Sequence, residues 1–237
     1  MARPVPIRRL PTGRIAAVLA VAILGASVPA IAAALFGSAG AAAVEAAPVE
    51  PDGYRMDDFR TPTPETLKGA RVVDTDPAYD LWAGRDALFV DVLPRAPKPA
   101  NLPPGTIWRD KPRANIPGSI WLANVGYGAL SPEMDRYFRA GLQAITGGDK
   151  SRPIVFYCLA DCWMSWNAAR RAMLEYGYSN VTWFPGGTDG WAEMNFPTEK
   201  SEPWIEGEPA PARPAGPPPV KPAIVHSTQS TPTVSKP

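Results

Sequence analysis

The stretch Pro153-Ile154-Val155-Phe156-Tyr157-Cys158-Leu159-Ala160-Asp161-Cys162-Trp163-Met164-Ser165-Trp166-Asn167-Ala168-Ala169 decides the fold class. It starts with a short run of β-branched and aromatic side chains, the pattern of a strand buried on both faces. Residues 159–164 read as a loop. Ser165 is placed to cap the helix that follows, whose apolar positions Trp166, Ala169, Met173 and Tyr176 recur at helical spacing until Gly177 ends it. Strand, tight turn and helix in this order are part of a βαβ unit, so the chain is expected to be an α/β protein with a mainly parallel central sheet flanked by helices.

The flanking sequence continues the alternation. Downstream, 181–184 is a further strand closed by the Pro185-Gly186-Gly187 turn. Upstream, 70–73 reads as a short strand, 76–83 as a helix, 87–92 as a buried strand and 119–122 as another short strand. Between them, the proline-rich 93–115 is expected to be a long loop covering one edge of the domain. Residues 131–145 form a helix with Ser131 at the cap and Pro132 in the first turn.

Both ends of the chain differ from this middle. Arg3, Arg8, Arg9 and Arg14 precede a stretch over 15–44 without a charged side chain, built mostly of Ala, Val, Ile and Leu. A basic start, an apolar middle and a small-residue end are the three regions of a secretory signal, with cleavage expected after Ala43 or Ala46. The stretch also exceeds the roughly 20 residues that span a bilayer, so an N-terminal membrane anchor is the alternative; Gly25, Pro29 and Gly37 interrupt it. Residues 203–237 are rich in proline and poor in large apolar side chains, a composition that cannot offset its ordering entropy, and are expected to be an extended or disordered tail. The expected organisation is a signal over 1–46, a polar lead over 47–69, a single domain over 70–200 and the tail. Lys and Arg total 24 against 23 acidic residues, with no basic cluster in the middle, which argues against a nucleic-acid partner.

The two cysteines of the chain, Cys158 and Cys162, both lie in the central loop. Ligands of open α/β sheets bind at the carboxyl ends of strands, where Cys158 falls, and a sulfur held there by backbone N–H groups and a helix N-terminus is favoured as thiolate. A buried structural cysteine is the alternative. Cys162 is within reach of a disulfide if the loop curls and out of reach if it is extended. Zinc is disfavoured, because the only histidine, His226, lies in the tail. Two thiolates with the Met164 thioether would suit copper(I). Trp163 is open to a ligand role or to core packing, whereas Trp166, Trp183 and Trp191 are expected in the core. Asp161 is either a solvated loop charge or a proton acceptor near the thiols.

Taken together, Ile154-Val155-Phe156-Tyr157-Cys158, Ala168-Ala169, Gly177-Tyr178-Ser179-Asn180-Val181 and Gly186-Gly187 followed by Trp191 and Pro197 resemble the second half of a rhodanese domain. Ile116-Pro117-Gly118-Ser119-Ile120 looks like its midpoint motif and Phe89-Val90-Asp91-Val92 like its early strand. The resemblance implies a rhodanese-like domain with Cys158 as the persulfide-forming cysteine. Its loop, Leu159, Ala160, Asp161, Trp163, Met164 and Ser165, would surround the substrate, with Cys162 as resolving partner. The run from Cys158 through Cys162-Trp163-Met164-Ser165-Trp166-Asn167 looks more narrowly like a rhodanese-like group with a cysteine, cysteine, tryptophan motif associated with PQQ-dependent catabolism. That implies a periplasmic location and a quinoprotein dehydrogenase or its cytochrome as partner; no residue points to PQQ as a bound cofactor.

The departures set the competing readings. No cation lies between Cys158 and the helix, where a sulfurtransferase carries Arg, and Met164 stands where a phosphatase of this fold needs Arg to hold phosphate. Asn115 replaces the usual His before Ile116, and Leu93-Pro94 displaces Arg95 from its place after Asp91. A small sulfur-containing substrate or thiol acceptor is therefore expected, in sulfur transfer or thiol redox chemistry. A non-catalytic assembly module docked through the tail, and copper(I) handling by the cysteine pair, are the alternatives.

Overall fold

The computed structural model describes residues 47–109 and 111–212; the expected export signal and the tail beyond 212 lie outside the described residues. Among the described residues no helix is long and apolar enough to cross a membrane. The elements run β1 (Arg71–Val72), α1 (Thr75–Ala83), β2 (Leu88–Asp91), β3 (Arg113–Asn115), β4 (Ile120–Trp121), α2 (Pro132–Thr146), β5 (Ile154–Tyr157), α3 (Trp163–Leu174), β6 (Val181–Phe184), α4 (Gly187–Glu193) and β7 (Glu199–Ser201).

Five strands form one sheet in the order β1-β6-β5-β2-β4, and every neighbouring pair is parallel. Parallel neighbours need crossover connections, which the helices supply. β5 lies at the centre, in register with Leu88 to Asp91 on one side and Val181 to Phe184 on the other. All four of its residues are buried, and their period of two divides them between two cores. Ile154 and Phe156 join the cluster built around α2 and α3, whereas Val155 and Tyr157 join the one built around α1 and α4. Each large apolar side chain buried in this way contributes roughly 1.5–3 kcal/mol. Trp166, Trp183 and Trp191 are fully buried.

The helix ends follow their local chemistry. Ser131 Oγ accepts from Met134 N–H at 3.3 Å, Pro132 follows it, and Gly147 closes α2 in the left-handed region at φ 66°. Ser165, by contrast, does not cap α3: the cap position is Cys162, and Ser165 lies in the first turn. Its Oγ donates back to the Cys162 carbonyl at 3.1 Å and accepts from Trp183 Nε1 at 3.0 Å.

Three further differences concern segments that are too short or too polar to show a period. The 93–115 connection ends in β3, which pairs antiparallel with β7. The Pro185-Gly186-Gly187 turn runs directly into α4. Trp204, at the start of the proline-rich segment, is 7% exposed; its N–H donates to Trp121 O at 2.9 Å, and its carbonyl accepts from Tyr137 OH at 2.7 Å.

The lead before β1 is ordered along α3. Arg55 N–H donates to Asn167 Oδ1 at 2.9 Å, and Asn167 Nδ2 donates to Arg55 O at 2.8 Å and Gly126 O at 2.9 Å. Trp163 N–H donates to Phe59 O at 3.0 Å, and Trp166 Nε1 to Thr66 O at 3.1 Å. Lead and helix are thus stitched together by hydrogen bonds to main chain rather than by apolar periodicity.

Candidate active site

β5 delivers Cys158 to the carboxyl edge of the sheet, and the chain must turn there to enter α3. The turn is made at Asp161, whose φ of 48° is left-handed, a region that Asp and Asn enter more readily than most residues. The loop therefore curls, Cys162 comes back to a Cα–Cα distance of 6.3 Å from Cys158, and the two sulfurs are joined as a disulfide. Cys158 is fully buried and Cys162 is 1% exposed. In this structure the pair is therefore in its oxidised, disulfide-bonded form. Among the described residues no group of three His, Cys, Asp or Glu is placed to hold a metal.

The remaining loop residues divide by environment. Leu159 and Ala160 are partly buried and Asp161 is exposed. Ala160 N–H donates to Asp189 Oδ2 at 3.1 Å, so an exposed carboxylate from α4 occupies a loop amide. The α3 terminus is occupied as well, through Trp163 N–H on Phe59 O. Trp163 is 2% exposed, and its Nε1 donates to Pro62 O at 3.1 Å and Thr61 Oγ1 at 3.2 Å. Its ring meets Trp166 edge-on at 5.5 Å and carries the Arg55 guanidinium at 5.3 Å. Of its two open roles, Trp163 takes the packing one. Met164 is buried in the same cluster as both cysteines.

The Cys158 carbonyl is the best-held atom of the loop. It accepts from Thr188 N–H at 3.0 Å, Thr188 Oγ1 at 3.3 Å and Arg113 Nη2 at 3.3 Å. Gly187 packs so closely that a Cβ there would lie 2.6 Å from this oxygen, and its φ is 52°. Glycine is the residue that fits both conditions.

Arg113 is the residue that sequence reasoning missed. The loop itself carries no cation, yet a guanidinium reaches it from β3, across 45 positions of chain. Its Nε donates to Asp91 Oδ2 at 2.6 Å and its Nη1 to Thr188 Oγ1 at 3.0 Å, with Arg113 only 8% and Asp91 0% exposed. Asp91 also accepts from Leu93 N–H at 2.9 Å. Burial raises the Asp91 carboxyl above its ordinary value, and the Arg113 charge and hydrogen bonds oppose that rise. Tyr157 lies beside them, its phenol pushed well above its ordinary value by burial and by the Asp91 charge. It serves as a neutral donor to Ser119 Oγ at 2.8 Å while accepting from Ile116 N–H at 3.0 Å. No local pattern marks Arg113 in the sequence, because its partners come from β2, the Cys158 loop and α4.

This arrangement can present one sulfur at a strand end, with a second sulfur in bonding range and a buried cation fixing the intervening backbone. Comparison with known families agrees with the architecture: the model of the rhodanese-like domain matches residues 66–194. No curated protein matches the chain.

Proposed function

The chain belongs to the rhodanese-like domain family, and from that premise we propose that it carries out sulfur-transfer and thiol redox chemistry, with Cys158 as nucleophile and Cys162 as resolving cysteine. The observation that supports this reading is the Cys158–Cys162 disulfide at the end of the central strand.

In the reduced protein the Cys158 thiolate attacks the sulfane sulfur of a donor; a new S–S bond forms on Cys158 and the donor leaves as its thiolate or as sulfite. The persulfide then has two outcomes. An acceptor thiolate can remove the outer sulfur and regenerate the Cys158 thiolate. Otherwise the Cys162 thiol attacks the inner sulfur, which closes the disulfide and releases hydrosulfide, the Cys162 proton leaving with it. An external dithiol supplies the two electrons that reopen the pair.

Export to the periplasm fits this chemistry, since a disulfide persists in an oxidising compartment. The finer assignment, to the group associated with PQQ-dependent catabolism and a quinoprotein dehydrogenase or cytochrome partner, is supported by the Cys158, Cys162, Trp163 sequence and the signal-like N-terminus.

Intact mass spectrometry of the reduced protein after a sulfane-sulfur donor tests the chemistry. One added sulfur is expected on Cys158, accumulating in Cys162→Ser and absent in Cys158→Ser. No mass gain with thiosulfate or with cysteine persulfide would overturn it.

A further inference from the structure

A cavity of about 390 Å³ lies against the cysteine loop, bounded on that side by Leu159, the residue after Cys158. We infer that this cavity binds an organic anion with a flat apolar body and an acid group. As the place where the active site takes its substrate, the assignment rests on the sulfur chemistry proposed above.

Size is the first argument. Cavities that enclose small organic molecules measure roughly 300–1,000 Å³, and an inorganic sulfur dianion would leave most of this one empty. The walls are the second. Trp121 and Trp108 both line the cavity. Trp121 is 5% exposed and held by its Nε1 donating to Leu93 O at 2.7 Å, whereas Trp108 is 37% exposed. Indole faces favour flat apolar groups and gain little from a small hydrated anion.

Charge is the third. Arg95, Lys111 and Arg113 contribute to the lining, and none of the described lining residues is acidic. Arg113 is balanced by Asp91, and Arg95 faces Glu202 at 3.9 Å. Lys111 is exposed and adds a further cation at this cavity. Apolar walls beside cations match a carboxylate or sulfonate carried on an aromatic or alicyclic frame. The acid group of such a ligand is expected at Lys111, in the same cavity that Leu159 of the cysteine loop lines.

Binding is measured on the full chain with the disulfide intact, so that no thiol reaction contributes. The probe is 2-naphthoate, compared with neutral 2-naphthamide and with thiosulfate, read by tryptophan fluorescence and calorimetry. One naphthoate is expected per chain, with 2-naphthamide and thiosulfate weaker by about tenfold or more, the equivalent of ~1.4 kcal/mol. Lys111→Glu and Trp108→Ala are each expected to weaken naphthoate by about tenfold, again ~1.4 kcal/mol. Absence of saturable naphthoate binding, or binding that both variants leave unchanged, would overturn the assignment. Naphthoate binding in a protein that never acquires sulfur on Cys158 overturns the sulfur chemistry and leaves the cavity assignment standing. Persulfide formation without naphthoate binding does the reverse.

Discussion

Arg113 joins three parts of the active site, and its removal gives the sharpest test at the residue scale. Replacing one member of a buried ion pair strands the other, at about 3–5 kcal/mol, so Arg113→Leu is expected to lower stability at neutral pH by that order. The pH dependence has a definite sign. Without the cation the buried Asp91 carboxyl rises further, so the folded state holds its proton while the unfolded state has released it. Stability of Arg113→Leu therefore falls as pH rises through the window between the unfolded carboxylate value and the raised folded one. Urea unfolding of variant and parent from acid to neutral pH reads this directly; a variant that is equally stable throughout would contradict it. Gly187→Ala is the second residue test. The contact with the Cys158 carbonyl and the positive φ together are expected to cost about 1–3 kcal/mol and to slow persulfide formation by displacing the loop.

At the scale of elements, the periodic ones were legible and the hydrogen-bonded ones were not. β5 and α3 could be read because apolar residues recur at their own spacings, and the parallel order followed from alternation of strand with helix. β3 and β7, three residues each, carry no such signal and exist because they find each other. The lead along α3 is the larger case, since its backbone is recognised by Asn167, Trp163 and Trp166. Asn167 is fully buried and makes two of these bonds, to Arg55 N–H and Arg55 O, and a third to Gly126 O. Asn167→Leu leaves those main-chain groups without partners at about 1–3 kcal/mol each where they stay buried. Faster hydrogen exchange is expected over 54–62, with β5 still protected; equal acceleration in both would show that the lead does not open as a separate unit.

For the whole molecule, the domain reaches further toward the C-terminus than its sheet does. Trp204 is packed against Tyr137, with ring centroids 5.7 Å apart, and belongs to the larger core cluster. Trp204→Ala is expected to cost about 3–5 kcal/mol, measured by denaturant unfolding, whereas a loss within experimental error would mean that this segment is not part of the folding unit. The disulfide closes only a short loop, its two cysteines being four positions apart in the chain. Loop-closure entropy then gives it about 2 kcal/mol, so reduction is expected to lower the unfolding midpoint modestly without dissolving the fold. That outcome, checked by circular dichroism with and without a reducing dithiol, suits a pair that opens and closes in function.

By itself the sequence determined the α/β alternation, the parallel sheet and the place of Cys158 at the end of a buried strand, because these depend on periodicity and on the order of neighbouring residues. It left open whether Cys162 could reach Cys158, since that turns on one backbone angle at Asp161. The tertiary structure decided the rest. It brought Arg113 to the Cys158 carbonyl, set Asp189 against the loop amide, turned Trp163 inward and laid the lead along α3. Each of these is a hydrogen bond or ion pair between residues far apart in the chain, and such contacts are specified by where the backbone has been carried, not by the residues on either side.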